Sequence, residues 1–186
     1  MQNQRLRGLI LSALFAAVTA ILAQVTIPLP LVPITGQTLA VGLTATILGS
    51  RLGTLSMVLY ALLGAIGLPV FSEASGGFHV IIGPTGGYIL GFIVTAYIIG
   101  LMLEKTRFTF VMAMAANTVG MIVTLLIGVV QLKFVTAMPW DKAFAVGVAP
   151  FIVVGLIKAA LASVIGVKVR QRLAQARLLP ATAAAE

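Results

Sequence analysis

The sequence predicts an all-α integral membrane protein, a bundle of six transmembrane helices with both termini on the cytoplasmic side. Three observations carry that prediction. Of 186 residues, 60% are hydrophobic and 9% charged, which is too little polar surface to clothe a water-soluble domain. Several long stretches are nearly free of charge, as membrane-crossing helices must be, and no series of short alternating strands marks a β-barrel. Lys and Arg also sort to one side of the segment pattern, as counted below. The length suits a single transmembrane domain, 1–186, with no separate soluble unit.

The first apolar run, Gly8 to Gln24, makes a helix of about 25 Å, just enough to cross. Arg5 and Arg7 before it imitate a secretory leader. The run is long and lacks a clean small-x-small cleavage site, so it reads as a retained span. Ala13 and Ala17 form one A-x-x-x-A pair, and Ala16 and Ala20 another. Small residues four apart let helices approach closely in lipid, and from spacing alone packing inside the bundle is the plainer use. Val25 to Gly36 holds three prolines and no charge, which prevents regular helix and predicts an ordered, half-buried loop. Two segments follow, Gln37–Leu48 and Thr54–Ile66, hinged by a tight turn over 49–53. Both are short for a span, so they must tilt, thin the bilayer locally or be extended by their loops.

Gly67 to Gly83 interrupts the helical pattern with Gly and Pro yet keeps Phe71, Phe78, Val80, Ile81 and Ile82. A plain solvated loop would not carry those side chains. The stretch is expected to be a lid over a buried small molecule, with Glu73, Gly76, Gly77 and Phe78 as lid residues. Pro84 suits the first turn of a helix, where its missing N–H costs nothing, so the fourth segment is Pro84–Leu103. The fifth is Phe108–Gln131. Lys133 to Lys142 reads as a polar turn with Trp140, the only Trp, at interface depth. The sixth segment starts at Ala143 or at Pro150, which marks either a kink or the true start, and ends at Val169. The Ala-rich tail, 174–186, is expected to be disordered.

With six spans, one side receives Arg5, Arg7, Arg51, Lys105, Arg107, Lys168, Arg170, Arg172 and Arg177, and the other receives Lys133 and Lys142. Nine against two places the first side in the cytoplasm. The Pro-rich loop and the lid then share the outer face. The net charge of +8 is explained by this asymmetry, and no nucleic acid is implied as a partner. The chain has no Cys, one His and four acids, which makes neither a metal site nor the paired acid and base of a hydrolase. GPTGGY faintly resembles a phosphate loop but lacks the Gly-Lys-Ser/Thr ending and follows no strand, so nucleotide binding is rejected. The chain is not expected to be an enzyme or to hold a cofactor.

Lys158 is the sharpest signal. It lies deep in the sixth segment, where a central Lys costs about 3 kcal/mol even on lenient insertion scales. It is expected either in an outward-facing cavity, bound to an anionic or carbonyl oxygen, or paired to a neighbouring helix. In the fifth segment Asn117, Thr124 and Gln131 recur every seven residues with Gly120 and Gly128 nearby, a stripe facing the bundle interior. It serves helix–helix hydrogen bonding or lines a cavity, and Asn117, with donors and acceptors, is the best single candidate. Thr85, Tyr88, Phe92 and Thr95 share a related face of the fourth segment.

PITGQT (33–38), SRLG (50–53), GLPVF (67–71), the pair Gly76-Gly77 and above all GPTGGYILGF (83–92) resemble the BioY family. Its members are the biotin-specific substrate-binding S components of energy-coupling factor (ECF) transporters. The resemblance runs from the first segment to Lys158. It implies a biotin pocket open to the outer face and covered by the 67–83 loop. It also implies a complex with a transmembrane coupling protein and two cytoplasmic ABC-type ATPases, in a bacterial or archaeal cytoplasmic membrane. Matching positions suggest Gln37, Tyr88, Asn117 and Lys158 as pocket residues, with Phe71 and Tyr88 packing the rings. Gln37 and Asn117 would read the ureido group, and Lys158 the carboxylate or the ureido oxygen. The resemblance assigns Ala13 and Ala17 to contact with the coupling protein. One departure stands out: the family usually has an acidic residue three positions before the Lys, and here that position is Gly155. The alternatives are an S component for another small vitamin and a helical membrane scaffold without transport function.

Overall fold

The computed structural model describes residues 2–176, 178 and 179. In chain order it comprises α1 (Gln2–Ala23), a hairpin of β1 (Thr26–Ile27) and β2 (Ile34–Thr35), α2 (Gln37–Ala65), a 3-10 turn (Ser72–Ala74), α3 (Phe78–Ile82), α4 (Gly86–Lys105), α5 (Phe110–Thr136), α6 (Trp140–Gly147) and α7 (Ala149–Gln175). Five stretches are long and apolar enough to cross a membrane: α1, α2, α4, α5 and the α6–α7 pair.

The element α2 is in fact two antiparallel arms. At Gly49 the backbone turns to φ 82°, ψ −173°, a conformation open to glycine. Gln37 Nε2 then donates to Tyr60 Oη at 2.5 Å, although 23 residues of straight helix would separate them by roughly 34 Å. The bundle therefore has six spans, and the turn expected over 49–53 is confined to Gly49. Polar groups secure the reversal. The first N–H groups of one arm and the last carbonyls of the other lack helical partners. Glu104 at the end of α4 accepts from Ser50 N (2.6 Å) and Ser50 Oγ (2.7 Å). Arg170 of α7 donates to Thr46 O and Ile47 O, both at 3.4 Å, and lies 4.7 Å from the Phe108 ring centre. An acid at a helix start and a base at a helix end both suit the helix dipole.

Several boundaries differ from the sequence-based expectation. The Pro-rich stretch forms a short antiparallel ladder, Thr26 opposite Thr35 and Ile27 opposite Ile34, because its three prolines fall between the two strands. The fourth span starts at Gly86, and Thr85 rather than Pro84 flanks it. The fifth runs on to Thr136 and the next helix begins at Trp140, so the polar turn shrinks to three residues. The alternative starts at Ala143 and Pro150 both have a counterpart: α6 covers 140–147, and Pro150 sits in the first turn of α7, where it costs no hydrogen bond. Of the tail, Ala174 and Gln175 belong to α7, and Leu179 is buried against Ile47 and Leu48. Residues 177 and 180–186 lie outside the described residues.

Apolar side chains such as Ile10, Leu14, Ile21, Val111, Leu126, Val153 and Ile157 face outward, as lipid requires. The core joins Met57, Tyr60, Phe92, Ala96, Ile99, Ala116 and Leu132.

Candidate functional site

At the end of the bundle opposite Glu104 and Arg170, the helices part around a cavity. Its walls come from α2 (Gln37, Thr38, Gly42), α4 (Tyr88, Ile89, Phe92), α5 (Asn117, Met121, Thr124) and α7 (Phe151, Gly155, Lys158). Val32, Pro33 and Thr35 of the hairpin, with Ser72, cover it. The wall is mostly apolar with a few convergent polar groups, which is the form of a small-molecule site.

Lys158 reaches across from α7 to the hairpin. Its ammonium donates to Thr35 O at 2.6 Å and to Thr38 Oγ1 at 3.1 Å. Both partners are neutral, and among the described residues no Asp or Glu lines the cavity. The amide nitrogen of Asn117 donates to Ala113 O (2.9 Å), Thr46 Oγ1 (3.0 Å) and Ser163 Oγ (3.2 Å). Its Oδ1 faces Gly42, where a Cβ would fall 2.4 Å away. Glycine thus keeps that carbonyl clear, as an acceptor presented on the cavity wall.

Gln37 is committed at both ends. Its Oε1 accepts from Thr35 Oγ1 at 2.7 Å, and its Nε2 donates to Tyr60 Oη. Tyr60 in turn donates to Val70 O at 3.1 Å. A continuous chain therefore runs from Lys158 through Thr35, Gln37 and Tyr60 to the strap that follows α2. Tyr88 donates to Gly147 O at 2.8 Å, which leaves its ring face to the cavity beside Phe151, with ring centres 6.2 Å apart.

The structure brings Gln37, Tyr88, Asn117 and Lys158 together and places Phe71 elsewhere. Phe71 is fully buried beneath the strap, edge-on to Tyr60 with centres 5.5 Å apart, and it does not line the cavity. It anchors the strap, which crosses the cavity end of the bundle. Of the expected lid residues, Glu73 and Phe78 point outward, Gly77 N donates to Gly64 O at 2.7 Å, and Gly76 lies against Leu68 O. Ser72 is the strap residue that meets the cavity.

Two glutamines fasten the strap. Gln24 at the end of α1 donates to Phe71 O (3.0 Å) and accepts from Ala74 N (2.9 Å). Gln131 donates to Ile81 O (2.7 Å) and Gly83 O (2.9 Å). The α5 stripe faces inward throughout but divides its work. Asn117 and Thr124 line the cavity, Thr124 pairs with Thr95 at 2.7 Å, and Gln131 holds the strap. Sequence reasoning missed Thr35, Thr38, Met121 and Phe151 as wall residues and Gln24 as a strap holder. Thr38 stands beside Gln37 and carried the one usable signal. Gln24 looked like a mere boundary. The two alanine pairs separate cleanly: Ala16 is buried in the bundle, whereas Ala13 and Ala17 are exposed.

The BioY family profile matches residues 1–175. A protein named biotin transporter BioY2, from Lactococcus lactis subsp. cremoris (strain MG1363), is 43% identical over 166 residues, 89% of this chain and 91% of that one. A biotin transporter BioY from Thermotoga maritima is 40% identical over 166 residues, 89% of this chain and 97% of its own. A 2.1 Å crystal structure of the S-component for biotin from an ECF-type ABC transporter superposes with a TM-score of 0.83 at 29% identity, covering 92% of this chain and 94% of that one.

Proposed function

We propose, from the premise that this chain belongs to the BioY family, that it is the biotin-capturing S component of an ECF-type uptake transporter. It is a multi-pass membrane protein and a transporter subunit, not an enzyme. The observation that carries the biotin reading is the convergence of Lys158, the Asn117 carbonyl and the faces of Tyr88 and Phe151 on one covered cavity. Biotin offers a carboxylate, a ureido group with two N–H donors and an apolar bicyclic body. Each has a counterpart there.

The nine-to-two distribution of Lys and Arg supports a cytoplasmic basic end and an outward-facing cavity in a bacterial or archaeal cytoplasmic membrane. Biotin would enter where the strap and hairpin meet. The strap, 67–83, would be its lid, released by parting from Gln24 and Gln131. Energy would come from two ABC-type ATPases acting through a transmembrane coupling protein. Ala13 and Ala17, exposed and one turn apart on α1, offer a flat surface on which another helix can pack closely.

An Ala13→Trp variant tests this division of labour. It should keep wild-type biotin affinity by calorimetry and fail to copurify with the coupling protein and ATPases. A variant that still assembles would show that α1 does not make that contact.

A further inference from the structure

Outside the cavity, the same end of the bundle gathers exposed aromatic rings around one lysine. Lys133 lies in the last turn of α5. Its ammonium stands 4.6 Å from the centre of the Phe134 ring and 5.6 Å from that of Trp140. Trp140 meets Phe134 edge-on at 6.4 Å and Phe144 at 6.0 Å. All three rings are exposed. The fold holds them in place. Ala143 and Gly147 of α6 face the bundle, Ala143 N donates to Pro139 O at 3.0 Å, and Gly147 O accepts from Tyr88. Asp141 and Lys142 lie on the exposed back of α6.

The position of Lys133 along α5 matters as much as its neighbours. Val119, Ile122, Leu126 and Val130 form an exposed apolar row at helical spacing, and Lys133 and Phe134 come next in it. From Val119 to Val130 the helix rises about 16 Å, close to the ~15 Å of hydrocarbon in one leaflet. A lipid whose tail lies along that row has its headgroup at Lys133. Rings at that depth suit the interface. They attract the ammonium by their faces but accept none of its N–H donors as an anion would. Among the described residues no acid pairs with Lys133. Lys133 and Lys142 also outnumber Asp141 here, so the patch is net positive.

We propose that Lys133, with the rings of Phe134 and Trp140, forms a headgroup site for an anionic phospholipid. The lipid phosphate takes the N–H donors of Lys133, and an acyl chain covers Val130, Leu126, Ile122 and Val119. A zwitterionic headgroup would bring a cation of its own to the same patch, and this sets the preference. The site is separate from the cavity and independent of what fills it.

Trp140 is the only Trp in the chain, so tryptophan fluorescence reports on this site alone. The purified full chain is placed in phosphatidylcholine nanodiscs carrying equal fractions of either phosphatidylglycerol or phosphatidylcholine brominated high on the acyl chains, where bromine quenches a ring in contact. Wild type should favour phosphatidylglycerol at Trp140 about fivefold, the scale of one Lys beside an anionic surface. Lys133→Met should remove the preference, whereas Lys142→Met should keep most of it. Inorganic phosphate, added at constant ionic strength, should leave the quenching unchanged. Equal quenching by the two lipids in wild type would overturn the site. Equal losses in the two lysine variants would overturn it too, by reducing the preference to diffuse attraction. Relief of quenching by inorganic phosphate would replace the lipid with a free anion and overturn the proposal.

Discussion

The two ends of this bundle both engage charged side chains, but they use them differently. At the basic end Glu104 is taken up by both donors of Ser50, and Arg170 by the carbonyls that close the first arm of α2. These groups answer needs created by the fold itself, the broken helix at Gly49. At the cavity end Lys158 has an ammonium with only neutral partners, and the Asn117 carbonyl, set against Gly42, accepts no hydrogen bond among the described residues. Polar residues in a membrane protein are costly wherever they sit. What separates the two ends here is unused hydrogen-bonding and charge capacity at the cavity.

The contrast can be broken by substitution. Lys158→Ala should have the largest effect, lowering biotin affinity by ~10-fold or more while leaving the unliganded protein as thermally stable as wild type, since it removes an uncompensated charge. Unchanged affinity would make Lys158 a structural residue and erase the distinction. Glu104→Ala should do the reverse. It strips the partner from the buried Ser50 N–H and should cost about 1–2 kcal/mol of stability, the lower part of the range because Glu104 is itself exposed. Thermal unfolding in detergent would show this, with biotin affinity of the folded protein intact. Tyr60→Phe should have the smallest effect and sharpen the picture of the strap. It removes the link from Gln37 to Val70 O, worth about 1 kcal/mol, and should speed biotin dissociation several-fold with little change in the association rate. An unaltered dissociation rate would show that the strap is not coupled to the site through Gln37.

Much of the first-order architecture was legible in the sequence because lipid imposes it. Charge-free runs and the Gly and Pro interruptions marked the spans and the turns between them. The lone intramembrane Lys and the inward stripe on α5 named Lys158 and Asn117. What stayed hidden depends on contacts between segments distant in the chain. Phe71 has the composition of a ligand-stacking residue, and only packing against Tyr60 shows that it anchors the strap instead. Gln131 belongs to the same heptad stripe as Asn117, and only the position of Ile81 and Gly83 separates their roles. Two-residue strands such as Thr26–Ile27 carry too little pattern to register as alternation. Gly155 was visible as a departure, but only packing shows that Met121, 34 residues away, fills the space a side chain there would take.

The measurement that bears most directly on the account is titration of biotin into the purified wild-type chain by calorimetry, without coupling protein or ATPases. The account predicts saturable heat at micromolar concentration or below, with one biotin bound per chain. No heat with biotin in that range would contradict it and leave the cavity to another vitamin or to no ligand at all.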